Sequence, residues 1–247
     1  MKFIKWLGII IGILILVVVI AGLVMDESLP EGGVEGEEAD NLALKMEESL
    51  GKEHWHDIQY IEWTFAGLHH FLWDKHRNFA RVKWENLTVF IKPGTEEGMA
   101  FRGADRIEGD DVKKMVETAN AYFNNDMFWL VAPFKSFDDG AKRMLVDYDG
   151  EKRLMVTFSE GGTTPGDSYL WKLAEDGTPE NYKMWTQIIP IGGVEASWSG
   201  WHEFGNGVKL SHFHDMGAMG LVISDVSTGY EYEELEYGKD PFSLFIE

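Results

Sequence analysis

The stretch of this chain most like a metal site is His212-Phe213-His214-Asp215. Residues two apart in a strand share a face, so the two imidazoles could hold one ion between them. Such a site also needs a third histidine or glutamate close by, and a further histidine from a second motif. The next residues are Met216-Gly217-Ala218-Met219, and no second motif follows. A surface or rim histidine pair is the plainer reading. His54-x-His56 and His69-His70 likewise have no carboxylate or histidine partner fixed by spacing. No Gly-x-Ser-x-Gly elbow occurs, and no Ser, His and Asp are singled out as a triad. Catalytic carboxylates cannot be picked from 42 acidic side chains, most of which form a solvated face. The run Gly161-Gly162-Thr163-Thr164-Pro165-Gly166 lacks the lysine of a phosphate-binding loop. With no cysteine there is neither a disulfide framework nor thiolate chemistry. These residues nominate no catalytic centre, metal or cofactor; a metal-dependent hydrolase using His212 and His214 ranks third among the functional readings.

The aromatic residues carry more information. Trp63, Trp73, Trp84, Trp129, Trp171, Trp185, Trp198 and Trp201 all lie in or beside strand-like segments. Their plain reading is a packed core. Their functional reading is the wall of an apolar groove on a curved sheet, with a helix in its mouth. The expected wall residues are Trp63, Phe65, Phe71, Trp73, Trp84, Trp171 and Trp185; Met115, Ala119 and Tyr122 are expected on the covering helix. Methionine beside aromatic walls suits a site that accepts variable chains.

Periodicity indicates what positions these residues. Leu42, Met46 and Leu50 recur every fourth residue, which predicts a helix from Asn41 to about His54, with Asp40 or Asn41 as its cap. Alternation with β-branched and aromatic residues predicts strands over 59–65, 69–74, 79–84 and 87–91. Val112, Met115, Val116, Ala119, Tyr122 and Phe123 then make one helical face over 110–124. Strands return at 144–148 and 154–158 around Asp149-Gly150, and at 169–173 and 184–188 around Asp176-Gly177. Further strands are expected at 198–204, 208–213 and 221–225, the first two joined by Asn206-Gly207. The fold class is α+β: a strongly curved antiparallel sheet or incomplete β-barrel with about two covering helices.

A transmembrane helix is expected to precede it. Residues 7–24 are eighteen consecutive apolar or glycine positions, which at about 1.5 Å each cover most of a roughly 30 Å hydrocarbon core. Lys2 and Lys5 precede the run while Asp26 and Glu27 follow it, so the N-terminus is expected inside the cytoplasmic membrane and the rest exported to the periplasm. A cleavable signal peptide fits less well, because its apolar region is shorter and ends at a small-x-small site. The expected division is an anchor over 1–25, an acidic flexible linker over 26–40, a folded domain over 41–228 and an acidic tail over 229–247. A flexible coil of the linker's length would reach roughly 20 Å from the membrane. The exported part holds all 42 acidic and 20 of the 22 basic residues, a formal −22. That excludes a nucleic-acid partner and disfavours electrostatic docking on anionic headgroups.

Three segments carry a family resemblance: Asn125-Asp126-Met127-Phe128-Trp129-Leu130-Val131-Ala132-Pro133-Phe134-Lys135, Tyr169-Leu170-Trp171, and Met184-Trp185-Thr186 with Ile189-Pro190-Ile191-Gly192-Gly193. Together with the order of elements, the chain resembles the LolA/LolB-like superfamily of periplasmic lipoprotein carriers, and more closely an uncharacterised family of that fold. The resemblance implies an unclosed antiparallel barrel with a helical lid over a cavity for acyl chains. It also implies an arginine that secures the lid, for which Arg77 and Arg81 are the candidates. The tail has no counterpart in the superfamily and is expected to add an edge strand or to stay mobile. The leading expectation is thus a membrane-anchored protein that binds a lipid or other hydrophobic ligand in envelope lipid or lipoprotein handling. The alternative is a non-catalytic interaction module with an envelope protein partner.

Overall fold

The structure is a computed structural model that describes residues 26–160, 165–205, 207–217, 219–235 and 239–246. The apolar run at 7–24 lies outside them. Among the described residues no helix is long and apolar enough to cross a membrane.

Antiparallel strands dominate. The chain enters through helices α1 (Glu37–Ser49) and α2 (Lys52–Trp55), then forms strands β1 (Tyr60–Phe65), β2 (His69–Asp74), β3 (Phe79–Trp84), β4 (Leu87–Ile91), β5 (Gly98–Arg102) and β6 (Asp105–Ile107). The long helix α3 (Asp110–Val131) follows. Strands β7 (Ala141–Tyr148), β8 (Glu151–Phe158), β9 (Ser168–Leu173), β10 (Pro179–Trp185) and β11 (Val194–Ser197) come next. Then come β12 (Ser199–Phe204), β13 (Val208–Asp215), β14 (Gly220–Gly229) and a short helix α4 (Ser243–Ile246). Nine strands form one sheet in the order β12-β13-β14-β1-β2-β3-β4-β5-β6, and five form a second in the order β11-β10-β9-β8-β7. The sheets meet at Trp198, whose N–H donates to the Glu180 carbonyl at 2.7 Å. Next to it, the Asp215 N–H donates to Ser197 Oγ at 2.8 Å. Edge strands β6 and β7 are not paired with each other, so the sheets do not close into a barrel.

Tight turns hold this meander in register. Ala66 and Gly67 adopt φ of 51° and 68° between β1 and β2, and Asp149 and Gly150 adopt 52° and 77° between β7 and β8. Two successive left-handed residues give the hairpin twist that matches twisted strands. Alternation then sends Ile61, Trp63, Phe71, Val82, Val89 and Ile91 to the inner face of the larger sheet, against Val116, Ala119, Phe123, Met127 and Leu130 of α3. The smaller sheet turns Val156, Trp171, Tyr182 and Met184 toward Ala43 and Met46 of α1.

Several expectations need correction. Helix α1 starts at Glu37, before Asp40 or Asn41, and Gly36 occupies the cap position without a side-chain bond. Gly51, in the left-handed region, separates α1 from α2. Strands β5, β6 and β11 were not foreseen, being three to five residues long with little alternation. Helix α3 continues seven residues past Asn124. Residues 186–193 leave the sheet as a loop, because β10 starts earlier, at Pro179.

The two flanking segments differ most. The first part of the stretch expected to be a flexible linker lies against the smaller sheet: Val34 and Leu145 exchange two backbone hydrogen bonds, of 3.0 and 2.8 Å. Residues 37–40 belong to α1, where Asp40 pairs with Arg143 at 2.5 Å. The tail, expected as an edge strand or mobile, packs on the outer face of the larger sheet. There Leu235 and Phe242 bury against Tyr60 and Leu72.

Candidate functional site

The expected ligand-binding residues fall into three places. Trp63, Phe65, Phe71, Trp73, Trp84, Met115, Ala119 and Tyr122 do come together, in the core between α3 and the larger sheet. Trp171 sits in the separate cluster under the smaller sheet. Trp185 is on the opposite, outer face, with Met144 and Tyr148. Strand parity explains where Trp185 lies: Tyr182 and Met184 of β10 point inward, so Lys183 and Trp185 point outward.

The inner hollow is occupied. Phe123 is 2% exposed and stands between the walls, with ring centroids 5.6 Å from Trp73, 6.2 Å from Trp63 and 6.3 Å from Phe71. Trp63 also stacks on Phe71 at 4.6 Å. Under the smaller sheet, Trp171 meets Tyr182 at 4.9 Å and Trp198 at 5.2 Å. Trp63, Phe71, Ala119 and Trp171 are thus core side chains. Of the inner set, Phe65, Trp84, Met115 and Tyr122 keep partial exposure along the seam where α3 meets the sheet, and Trp73 keeps its own in a separate cavity of about 330 Å³ lined with Trp55, Lys75 and Phe134.

His69 and Asp126 fasten this seam: the histidine for which spacing fixes no carboxylate partner finds one on α3. His69 Nδ1 lies 2.6 Å from Asp126 Oδ2, and the imidazole stacks on Tyr122 at 3.9 Å. Burial lifts the Asp126 carboxyl above its ordinary value, opposed by hydrogen bonds from Asn125 and His69. The two candidate arginines do other work. Arg77 binds Asp74 and the tail residue Asp240, and Arg81 of β3 reaches across β2 to bind Glu62 of β1. A signal for Asp126 was present: Val116, Ala119, Phe123, Met127 and Leu130 keep a helical period through Asn124-Asn125-Asp126, past the end expected at 124.

The histidine pair of β13 does not converge on an ion. His214 is fully buried between Trp198 at 4.5 Å and Trp129 at 5.3 Å, and its Nδ1 lies 2.9 Å from the Ser197 carbonyl. His212 instead stacks on His202 at 4.5 Å. Among the described residues no three His, Cys, Asp or Glu side chains gather to hold a metal.

No family model matches this chain, and no curated protein does. A solved structure does. It is a DUF1329 family protein from Desulfovibrio piger, 11% identical, with a TM-score of 0.39 over 80% of this chain and 98% of that one. At that similarity no residue role is carried across.

Burial in the aromatic cage pushes His214 down to about 4 from an ordinary 6.5. A histidine depressed on folding stabilises the fold fully above 6.5, and that stability drains away as pH falls from 6.5 toward 4, where the unfolded chain binds the extra proton. The loss amounts to about 3 kcal/mol. Urea titrations at pH 7 and pH 4.5 should therefore show a smaller pH dependence for His214→Gln than for the parent. Equal dependence in both would mean that His214 is not held neutral.

Proposed function

We propose that this protein is a membrane-anchored, exported and non-catalytic domain that acts by binding an envelope protein at its surface, and that its interior is structural. The observation that supports this reading is Phe123 seated among Trp63, Phe71 and Trp73, where an acyl chain would otherwise lie. The formal charge of −20 favours a basic partner surface. The anchor is the apolar run at 7–24, with the N-terminus inside the cytoplasmic membrane and the domain in the periplasm.

A second reading keeps the lipid ligand but moves it. Phe65, Trp84, Met115 and Tyr122 are partly exposed along the seam, with Trp84 edge-on to Tyr122 at 5.4 Å. An acyl chain lying there would bury apolar surface at about 25 cal/mol per Å² without displacing α3. This seam is also where the LolA/LolB-like resemblance would put a lid.

One experiment separates the readings. The full chain is reconstituted in vesicles containing a phospholipid with a photoactivatable acyl chain, irradiated and mapped by peptide. The surface-binding reading predicts no crosslinks at Trp63, Phe71, Trp171, Trp84, Met115 or Tyr122. Labelling of Trp84, Met115 and Tyr122 alone would favour the seam. Labelling of Trp63, Phe71 or Trp171 would overturn a structural interior and restore the enclosed lipid cavity.

A further inference from the structure

The loop at 186–193 holds the first described residues of the chain. Gly192 N–H donates to Asp26 Oδ1 at 2.8 Å, and Glu27 N–H donates to the Gly192 carbonyl at 3.1 Å. Trp185 Nε1 donates to the Glu27 carbonyl at 2.7 Å. The Glu27 carboxylate pairs with Lys183 at 2.5 Å and accepts from the Tyr148 hydroxyl. Two glycines make this seat. A Cβ on Gly192 would stand 2.4 Å from the Glu27 carbonyl oxygen, and one on Gly193 would stand 2.7 Å from Glu27 Cβ. Asp26 and Glu27 are therefore fixed to the end of β10 by main chain and side chain together.

The apolar run ends at Val24, two residues before Asp26. Consecutive Cα atoms are about 3.8 Å apart, so two residues of chain reach at most roughly 8 Å. The step that follows rests on reading that run as a membrane anchor. On that reading the bilayer surface is at Asp26, and the loop bonded to Asp26 is at the same level. The loop's composition fits such a place. Thr186-Gln187-Ile188-Ile189-Pro190-Ile191-Gly192-Gly193 contains no charged side chain, in a chain of formal charge −20. Ile188 is 62% exposed and Pro190 is exposed, and Leu29 in the adjoining segment is 43% exposed. Three carboxylates beside the loop are engaged, Asp26 by the Gly192 N–H, Glu27 by Lys183 and Asp167 by the Gln187 N–H.

We propose that the 186–193 loop is a membrane-contacting surface, with Ile188 inserted among the lipid headgroups, so that the domain sits directly on the bilayer. The partner is the lipid surface, and the interaction is apolar. It replaces a 20 Å tether with a fixed seat and fixes which end of the smaller sheet faces away from the membrane.

The absence of native cysteine makes the test direct. Ile188→Cys and Glu175→Cys are made in the full chain. Glu175 is exposed and precedes β10 at its other end, about 20 Å away by strand rise. Each is labelled with bimane and reconstituted in phosphatidylethanolamine/phosphatidylglycerol vesicles, with or without a lipid spin-labelled near its headgroup. The Ile188 probe is expected to be quenched at least twofold more than the Glu175 probe. Equal quenching, in a chain that resists extraction by alkaline carbonate, would overturn the loop contact and leave the anchor standing. Release of the chain by carbonate would overturn the anchor, and the loop contact with it.

Discussion

Phe123→Ala is expected to lower the unfolding free energy by about 3–5 kcal/mol, the usual cost of emptying a buried aromatic site. For a domain of this size the midpoint of thermal unfolding should fall by about 10 °C. The effect is large because Phe123 touches three aromatic residues on two strands, Trp63 of β1 and Phe71 and Trp73 of β2. Those walls belong to hydrogen-bonded strands, so they cannot collapse into the space without breaking register. Met115→Ala, on the partly exposed side of the same helix, is the matched comparison and should cost well under half as much. Urea or thermal denaturation of the two variants reads the difference directly. An unchanged Phe123→Ala midpoint would mean that Phe123 covers an empty hollow instead of filling one.

Arg77→Ala should be comparably damaging, for a different reason. Asp74 is completely buried, and its carboxylate receives both the Arg77 guanidinium and, at 3.0 Å, the Arg77 N–H. Removing the guanidinium leaves that charge without its counter-ion, which typically costs about 3–5 kcal/mol. The same guanidinium binds Asp240 at 2.5 and 2.9 Å and lies over the rings of Phe79 and Phe242. The variant should therefore also release the tail, seen as rapid proteolysis after Gly229 while the domain stays intact. Arg77→Lys keeps the charge but not the planar fork, and should fall between. The latch carries its own pH dependence. The Arg77 hydrogen bonds hold the Asp240 carboxyl below its ordinary 3.8. A depressed carboxyl stabilises the docked tail fully above 3.8, and that stability is lost as pH falls through the lower folded value. Tail protection should thus persist at pH 5 and disappear in stronger acid. Protection unchanged in Arg77→Ala would show that Phe242 packing alone holds the tail.

The sequence made the strands legible where alternation was strict and short turns bounded it. β2, β3 and β4 fall where the pattern put them, as does the Asp149-Gly150 hairpin. What it could not reveal was how far the hollow would be filled. Val116 and Phe123 were on the predicted helical face, yet only tertiary packing shows that they, more than Met115 and Tyr122, enter the core. Likewise, Asp126 lies beyond the helix read over 110–124, and nothing in the local pattern pairs it with His69, 57 residues away. Segment 26–36 reads as a flexible linker because acidic residues and glycine dominate it, and the tail reads as an edge strand or a mobile end because its apolar residues follow an acidic run. Their docking depends on few contacts, Glu27 with Lys183 and Phe242 with Phe79 and Phe90, that no local pattern announces.

Amide hydrogen exchange on the full chain tests most directly whether α3 is a structural plug or a lid. If the helix fills the sheet permanently, the amides of Val116, Ala119, Phe123, Met127 and Leu130 exchange only through global unfolding, as slowly as those of Trp63 and Val82. Exchange of the α3 amides at least a hundredfold faster than those strand amides would show the helix opening on its own, and would contradict a structural interior.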